Sequence, residues 1–263
     1  RPWPPPDLAR PRRHAGQEDP RRSLGWSPAA WGSSRTIRHA TGSFLVVCSI
    51  LLAACSGSLA KSHVGPRDTA ESAANEYFPL TPGRAWLYAG IDGEVVVTEA
   101  VVVDDVTRMI DGVACRALVK ETRRDGKPDH LSNEWFAVDV DGNVWKFGEE
   151  SYGWDGTAYA IAGSAWFAGE GDAFAWLFLP AQPVPGDSLI GHGPEHEERT
   201  DILAIDARVA VPAGAFARCV SVLEIEDDEP DDADLVLYAP GVGRVMESNP
   251  SGKIELVGPL GGR

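Results

Sequence analysis

From Tyr77 onward apolar residues alternate with polar ones instead of recurring at helical spacing, as in "EVVVTEAVVVDDV" and "DILAIDARVAV". A period of two is that of a strand with one buried face, so the pattern predicts an all-β fold. Within the stretch Trp135 to Phe147, "WFAVDVDGNVWKF", the dipeptide Asp141-Gly142 predicts a two-residue hairpin turn, because glycine adopts positive φ freely and aspartate tolerates it. Such a turn sets Val140 against Asn143, Val138 against Trp145 and Phe136 against Phe147. Asp139 then falls on the opposite face with Ala137, Val144 and Lys146.

The same landmarks come twice. "FPLTPGRAW" returns as "QPVPGDSL", "MIDGVACRALVKE" as "VPAGAFARCVSVLE", and "WFAVDVDGNVW" as "LYAPGVGRVM". Gly83 precedes Gly112, Cys115 and Gly142 by 29, 32 and 59 residues, and Gly186 precedes Gly214, Cys219 and Gly243 by 28, 33 and 57. The expectation is two pseudo-repeated antiparallel β units, about 77–147 and 183–257, joined by a connection over 148–182. Each unit of four or five strands is too small to close a core alone, so the two should pack as one curved sheet, half-barrel or sandwich over 77–260.

The connection is rich in glycine and aromatics. Phe174, Trp176 and Phe178 alternate and so share one face of a strand; together with Trp166 they are candidates for a pocket holding an apolar ligand. Aromatics of this kind also fill the core where two sheets meet, and the sequence leaves both uses open.

Upstream, the pattern changes character. Arg35 and Arg38 precede an apolar run from Phe44 to Ala54, the layout of a signal peptide over 35–54, and the run is too short to span a bilayer. Leu52-Ala53-Ala54-Cys55 resembles a bacterial lipobox, which implies that Cys55 receives diacylglyceryl and acyl chains such as palmitate and becomes the first residue of a protein anchored in the cell envelope. Residues 1–34 are rich in Pro and Arg without a hydrophobic period, and are expected to be disordered or untranslated. Residues 55–76 have the composition of a flexible tether.

Charge narrows the partners. The net charge of −15 divides into +5 for residues 1–54 and −20 for the remainder, and so acidic a body repels nucleic acid and anionic lipid heads. It also favours a soluble monomer.

Metal and catalytic chemistry find weaker support. Asp139, Asp141 and Asn143, with Glu150 twelfth in order, imitate a calcium loop, but its glycine stands fourth where an EF-hand needs it sixth. "HGPEH" gives His192 and His196 the spacing of inverted zinc peptidases, although Gly191, Gly193 and Pro194 oppose the helix such a site requires. The acidic run from Glu224 to Asp234 offers Asp227, Asp228, Asp231 and Asp232 for weak calcium binding, and reads equally as a solvated loop. Cys115 and Cys219 occupy equivalent places in the two units, so a disulfide between them is as open as two separate thiols. No G-x-S-x-G, P-loop or Rossmann fingerprint occurs, no cofactor is expected, and no catalytic residue is nominated.

The segments "YFPLTPGRAWLYAG", "DGNVWKFGE", "SAWFAGEGDA", "PGDSL" and "YAPGVGRV", in this order, resemble a family of uncharacterised exported bacterial proteins, many of them lipoproteins. The resemblance runs from about Tyr77 to Val257 and implies an exported β protein without assigning an activity. Where that family has a Gly-acid-Ala-acid segment after "PGDS", this chain has "GPEHEERTD", so neither histidine belongs to the family pattern. The functional expectation is a membrane-tethered carrier or binding module for an apolar ligand, with a secreted hydrolase or a calcium-binding envelope protein as alternatives. A carrier should line the concave face with aromatics such as Trp166 and Trp176; an enzyme should place charged residues there.

Overall fold

The computed structural model describes residues 74–163, 165–193, 197–227 and 230–260. Residues 1–73, with the signal segment, Cys55 and most of the tether, lie outside the described residues. Fourteen strands occur among the described residues, all in one antiparallel sheet. The first five, β1 (Ala85–Asp92), β2 (Val95–Ile110), β3 (Val113–Arg124), β4 (Lys127–Val138) and β5 (Val144–Trp154), form a meander in chain order. Three short strands, β6 (Tyr159–Ile161), β7 (Trp166–Phe167) and β8 (Trp176–Leu179), are laid along the far edge of β5. A second meander follows, with β9 (Ser188–His192), β10 (Glu197–Val211), β11 (Gly214–Glu226), β12 (Asp234–Ala239), β13 (Gly243–Ser248) and β14 (Gly252–Pro259).

Pairing of β14 with β1 joins the meanders into a curved sheet whose hydrogen bonding does not close into a barrel. The all-β, curved-sheet expectation is the architecture observed. The Pro-Gly turns before β1 and β9 are bonded alike: Gly83 N–H donates to Val103 O at 2.9 Å, and Gly186 N–H donates to Ile202 O at 2.8 Å.

Two Asp-Gly dipeptides form two-residue turns with both residues at positive φ: Asp111-Gly112 between β2 and β3 (47° and 77°) and Asp125-Gly126 between β3 and β4 (48° and 75°). Asp141-Gly142 departs from expectation, with positive φ at Gly142 alone (86°). Strand pairing ends at Val138 opposite Val144, Ala137 faces Trp145 and Phe136 faces Lys146, a register one residue away from the predicted one. The cause is the Asp139 carboxylate, which captures the N–H groups of Asp141 and Asn143 and widens the connection to five residues.

Both faces of this hairpin are buried, for different reasons. Phe136, Val138 and Val144 point into the curl, where they meet Ile202, Val220 and Val222 of the second meander. Trp135, Ala137, Trp145 and Phe147 point outward and are covered by Phe167 and Ala168. The stretch 148–182 is therefore more than a connection: β5 continues through it to Trp154, and the remainder supplies an edge and an outer cover for β5.

Cys115 packs in that outer cluster and Cys219 in another, beside Trp86 and Val211. The two are buried free thiols, and the bridge allowed by their equivalent places is not formed.

Asn75, within the predicted tether, makes contacts with the β domain. Asn75 is buried, its amide nitrogen donating to Gly142 O at 2.9 Å and its oxygen accepting the N–H groups of Tyr77 and Phe78. This clasp holds Phe78 against Phe136 and Phe178 and stops one end of the curl.

Candidate functional site

Alternation along curved strands gives the sheet an inner face, and the strand register decides which side chains meet there. Tyr88 stands opposite Glu99, Val101 opposite Lys120, and Leu118 opposite Glu134. Two residues further along β4, Phe136 stands opposite Lys146, past a bulge that leaves Phe147 of β5 without an opposite residue. On the second meander Glu224 stands opposite Asp234, Val222 opposite Val236, and Tyr238 opposite Arg244. Most of these residues line a cavity of about 500 Å³, with Glu99, Phe136, Val222 and Val236 packed behind its surface. The end stopped by Phe78 is apolar, and Phe78, Phe136 and Phe178 meet edge to face with centroids 4.8–5.1 Å apart. The rest of the lining carries a belt of charge.

The belt is not evenly neutralised. Lys146 Nζ lies 2.9 Å from Glu149 and 3.7 Å from Glu134, and Lys120 Nζ lies 3.9 Å from Glu134. Burial disfavours the lysine charge, yet Glu99, Glu134 and Glu247 outweigh it and push Lys120 up to about 12. Arg244 bonds both Glu99 and Glu247, with its guanidinium carbon 4.3 Å from the centre of the Tyr88 ring. Against the burial penalty, Arg244 holds Glu99 below the usual carboxylate range, and Lys146 does the same for Glu149.

Across the cavity the balance reverses. Burial and the neighbouring Glu198 and Glu247 push Glu224 up to about 8, with Tyr238 donating its hydroxyl at 3.2 Å. Asp234 is raised to about 6 by burial and by Glu247 and Asp232. Burial also raises Glu198, with Lys146 opposing the shift. One wall thus carries paired ions and the other an excess of carboxyl groups.

Aromatic side chains complete the enclosure. Trp166 and Trp176 stack with centroids 4.5 Å apart and planes 17° from parallel, and Lys146 Nζ lies 5.7 Å from the Trp176 ring centre. Trp176 spans the open seam of the sheet, fitting so closely on Gly191 of β9 that a Cβ there would lie 2.6 Å from the indole.

Of the four aromatic candidates, Trp166, Trp176 and Phe178 line the cavity. Phe174 does not; it packs against the His192 ring with centroids 5.6 Å apart. The calcium reading of the hairpin fails on geometry, because the two oxygens of Asp139 accept four hydrogen bonds from Asp141 N, Asn143 N, Asn143 Nδ2 and Trp145 Nε1. Burial works against the Asp139 charge, but these donors hold its carboxyl below the ordinary range. Asn143 Oδ1 in turn accepts the N–H of Ala181, and Glu150 faces Arg108 at 3.6 Å.

The zinc reading fails because His192 ends a strand instead of riding a helix, with its Nδ1 3.1 Å from Glu197; His196 lies outside the described residues. In the acidic run Asp227 accepts the N–H of Glu197, and Asp228 lies outside the described residues. Among the described residues, no group of three or more His, Cys, Asp or Glu side chains is arranged to hold a metal ion.

Sequence reasoning missed the charged belt altogether. Its signal lay in single charges at inward positions of apolar strands, as in "VTEAVVV", "ALVKE", "VWKF" and "SVLEIE".

No family model matches the chain, and no curated protein matches it. Among solved structures, a protein of Parabacteroides distasonis described as a "putative lipoprotein" is similar at 13% identity, over 71% of this chain and 99% of that chain, with a TM-score of 0.33.

Proposed function

We propose that this protein is an exported lipoprotein, tethered to a membrane through Cys55, whose β domain binds a small amphiphilic molecule without transforming it. The observation that carries this reading is the cavity itself, apolar and aromatic at the end stopped by Phe78 and ionic at the other. Such a lining suits a molecule with a hydrocarbon or aromatic body and a polar end better than the wholly apolar ligand expected from Trp166 and Trp176 alone. Titration of the full chain with amphiphiles of graded length, followed by tryptophan emission and melting temperature, tests the cavity. A flat response across the series counts against it. Intact mass from native membranes tests acylation at Cys55.

Hydrolysis is the second reading, and two observations favour it: the inner face carries the charged residues expected of an enzyme, and Glu149 held low and Glu224 held high in one cavity resemble the split of a base and an acid. Binding is preferred because Glu149 is committed to Lys146 at 2.9 Å. A screen of ester, amide and glycoside substrates, with activity lost in both Glu149→Gln and Glu224→Gln, would reverse that preference.

A further inference from the structure

We infer that the polar end of the cavity's ligand is an organic cation, an ammonium group received by Glu198, Glu224 and Asp234. The inference rests on the binding reading above and names the chemistry of its ligand.

Three features lead to it. The three carboxyl groups stand on neighbouring strands β10, β11 and β12, with Glu224 directly opposite Asp234 and Glu198 two residues along from Thr200, the residue opposite Glu224. All three line the cavity. The basic side chains around the cavity are already committed: Lys146 to Glu134 and Glu149, Lys120 to Glu134, and Arg244 to Glu99 and Glu247. Among the described residues, no ion pair within 4 Å reaches Glu198, Glu224 or Asp234, so the acidic wall lacks a close countercharge. Excess buried carboxylate is costly unless it stays protonated or a cation arrives.

Two independent observations point to a ligand at this belt. Ser132, only 1% exposed, has an Oγ with no hydrogen-bond partner, and its register between Lys120 and Ser151 turns it to the inner face. The stacked Trp166 and Trp176 line the same cavity, and aromatic side chains beside carboxylates favour an organic cation through its charge and its carbon skeleton together. The three carboxyl groups are spread along the wall and do not converge as a bare metal ion requires, which suits a charged group carried on a carbon skeleton better.

Binding should be coupled to proton release. Glu224 is faced by Glu198 from β10, by Asp234 and Tyr238 from β12 and by Glu247 from β13, with Arg244 acting on Tyr238 and Glu247 and Lys146 acting on Glu198. With Glu224 held near 8 and Asp234 near 6, an arriving ammonium displaces protons, and affinity should climb from pH 6 to pH 8.

The test uses three probes of one length, octylammonium, octanol and octanoate, titrated into the full chain at pH 8 and pH 6 with tryptophan emission and calorimetry as readouts. Octylammonium should bind about 10-fold or more tightly than octanol at pH 8, the scale of one charge-assisted hydrogen bond, with octanoate weakest. The preference should narrow at pH 6 and vanish in the near-isosteric double variant Glu198→Gln/Glu224→Gln. Asp234→Asn serves as a second variant if the first does not fold, and should reduce the preference. Equal binding of all three probes, or tighter binding of octanoate, overturns the cation while leaving the cavity reading intact. Failure of all three to bind overturns both.

Discussion

The indole N–H of Trp145 donates to Oδ2 of Asp139 over 2.8 Å, tying an outward-packed ring to the loop between β4 and β5. That bond completes a carboxylate with four donors, and it explains why this Asp-Gly segment does not form the two-residue turn its neighbours form. Replacing Asp139 by Ala leaves the indole, two backbone N–H groups and an amide without their acceptor. The expected loss is about 3 kcal/mol in urea unfolding, with the m-value unchanged. Millimolar calcium should not move the wild-type midpoint.

Glu224 titrates in the opposite sense from a salt-bridged acid. With its folded pKa raised to about 8, the folded state retains a proton that the unfolded chain releases near 4.3. Its contribution is intact below the unfolded value and is lost as pH rises towards 8, at up to about 1.4 kcal/mol per pH unit. Glu224→Gln should therefore raise the melting temperature at pH 8 and leave it nearly unchanged at pH 4.5, measured by calorimetry at both pH values.

Arg244 holds Glu99 and Glu247 together at the belt. Arg244→Met strands the buried Glu99 without its closest cation and should cost about 3–5 kcal/mol. Adding Glu99→Gln should recover much of that loss. Denaturant unfolding of the four proteins in this double-mutant cycle measures the coupling.

Two glycines mark the places where the sheet joins and where it stays open. A Cβ at Gly90 would lie 1.8 Å from the carbonyl oxygen of Lys253 across the β1–β14 pair, and neither backbone can yield without breaking the ladder. Gly90→Ala should cost about 3 kcal/mol or more. At Gly191 the obstacle is the edge of Trp176, a side chain that can shift, so Gly191→Ala should cost about 1–3 kcal/mol and change tryptophan emission.

The cysteines offer a direct check on covalent structure. Iodoacetamide added under denaturing, non-reducing conditions should alkylate both Cys115 and Cys219, as peptide mass mapping would show. In native buffer Cys115 should resist, since burial pushes its thiol up to about 12 and few thiolates form.

Local pattern determined much of this protein. Alternation along "EVVVTEAVVV" and "DILAIDARVAV" specified long antiparallel strands, and the Pro-Gly and Asp-Gly dipeptides marked turns, because backbone preference and side-chain period act over a few residues. Trp166, Trp176 and Phe178 could be singled out for the same reason, as large aromatics in a short segment. Tertiary structure decided what those residues touch. It placed Lys146 and Glu134 together on the inner face through a register that the Asp139 carboxylate shifts by one residue, and it brought Glu198, Glu224 and Asp234 onto one wall opposite the lysines. Charge neutralisation depends on distances across a closed space, which no local spacing encodes; the chain's alternation specified that strands would have an inner face, and only the curl of the sheet made that face a cavity with one paired wall and one acidic wall.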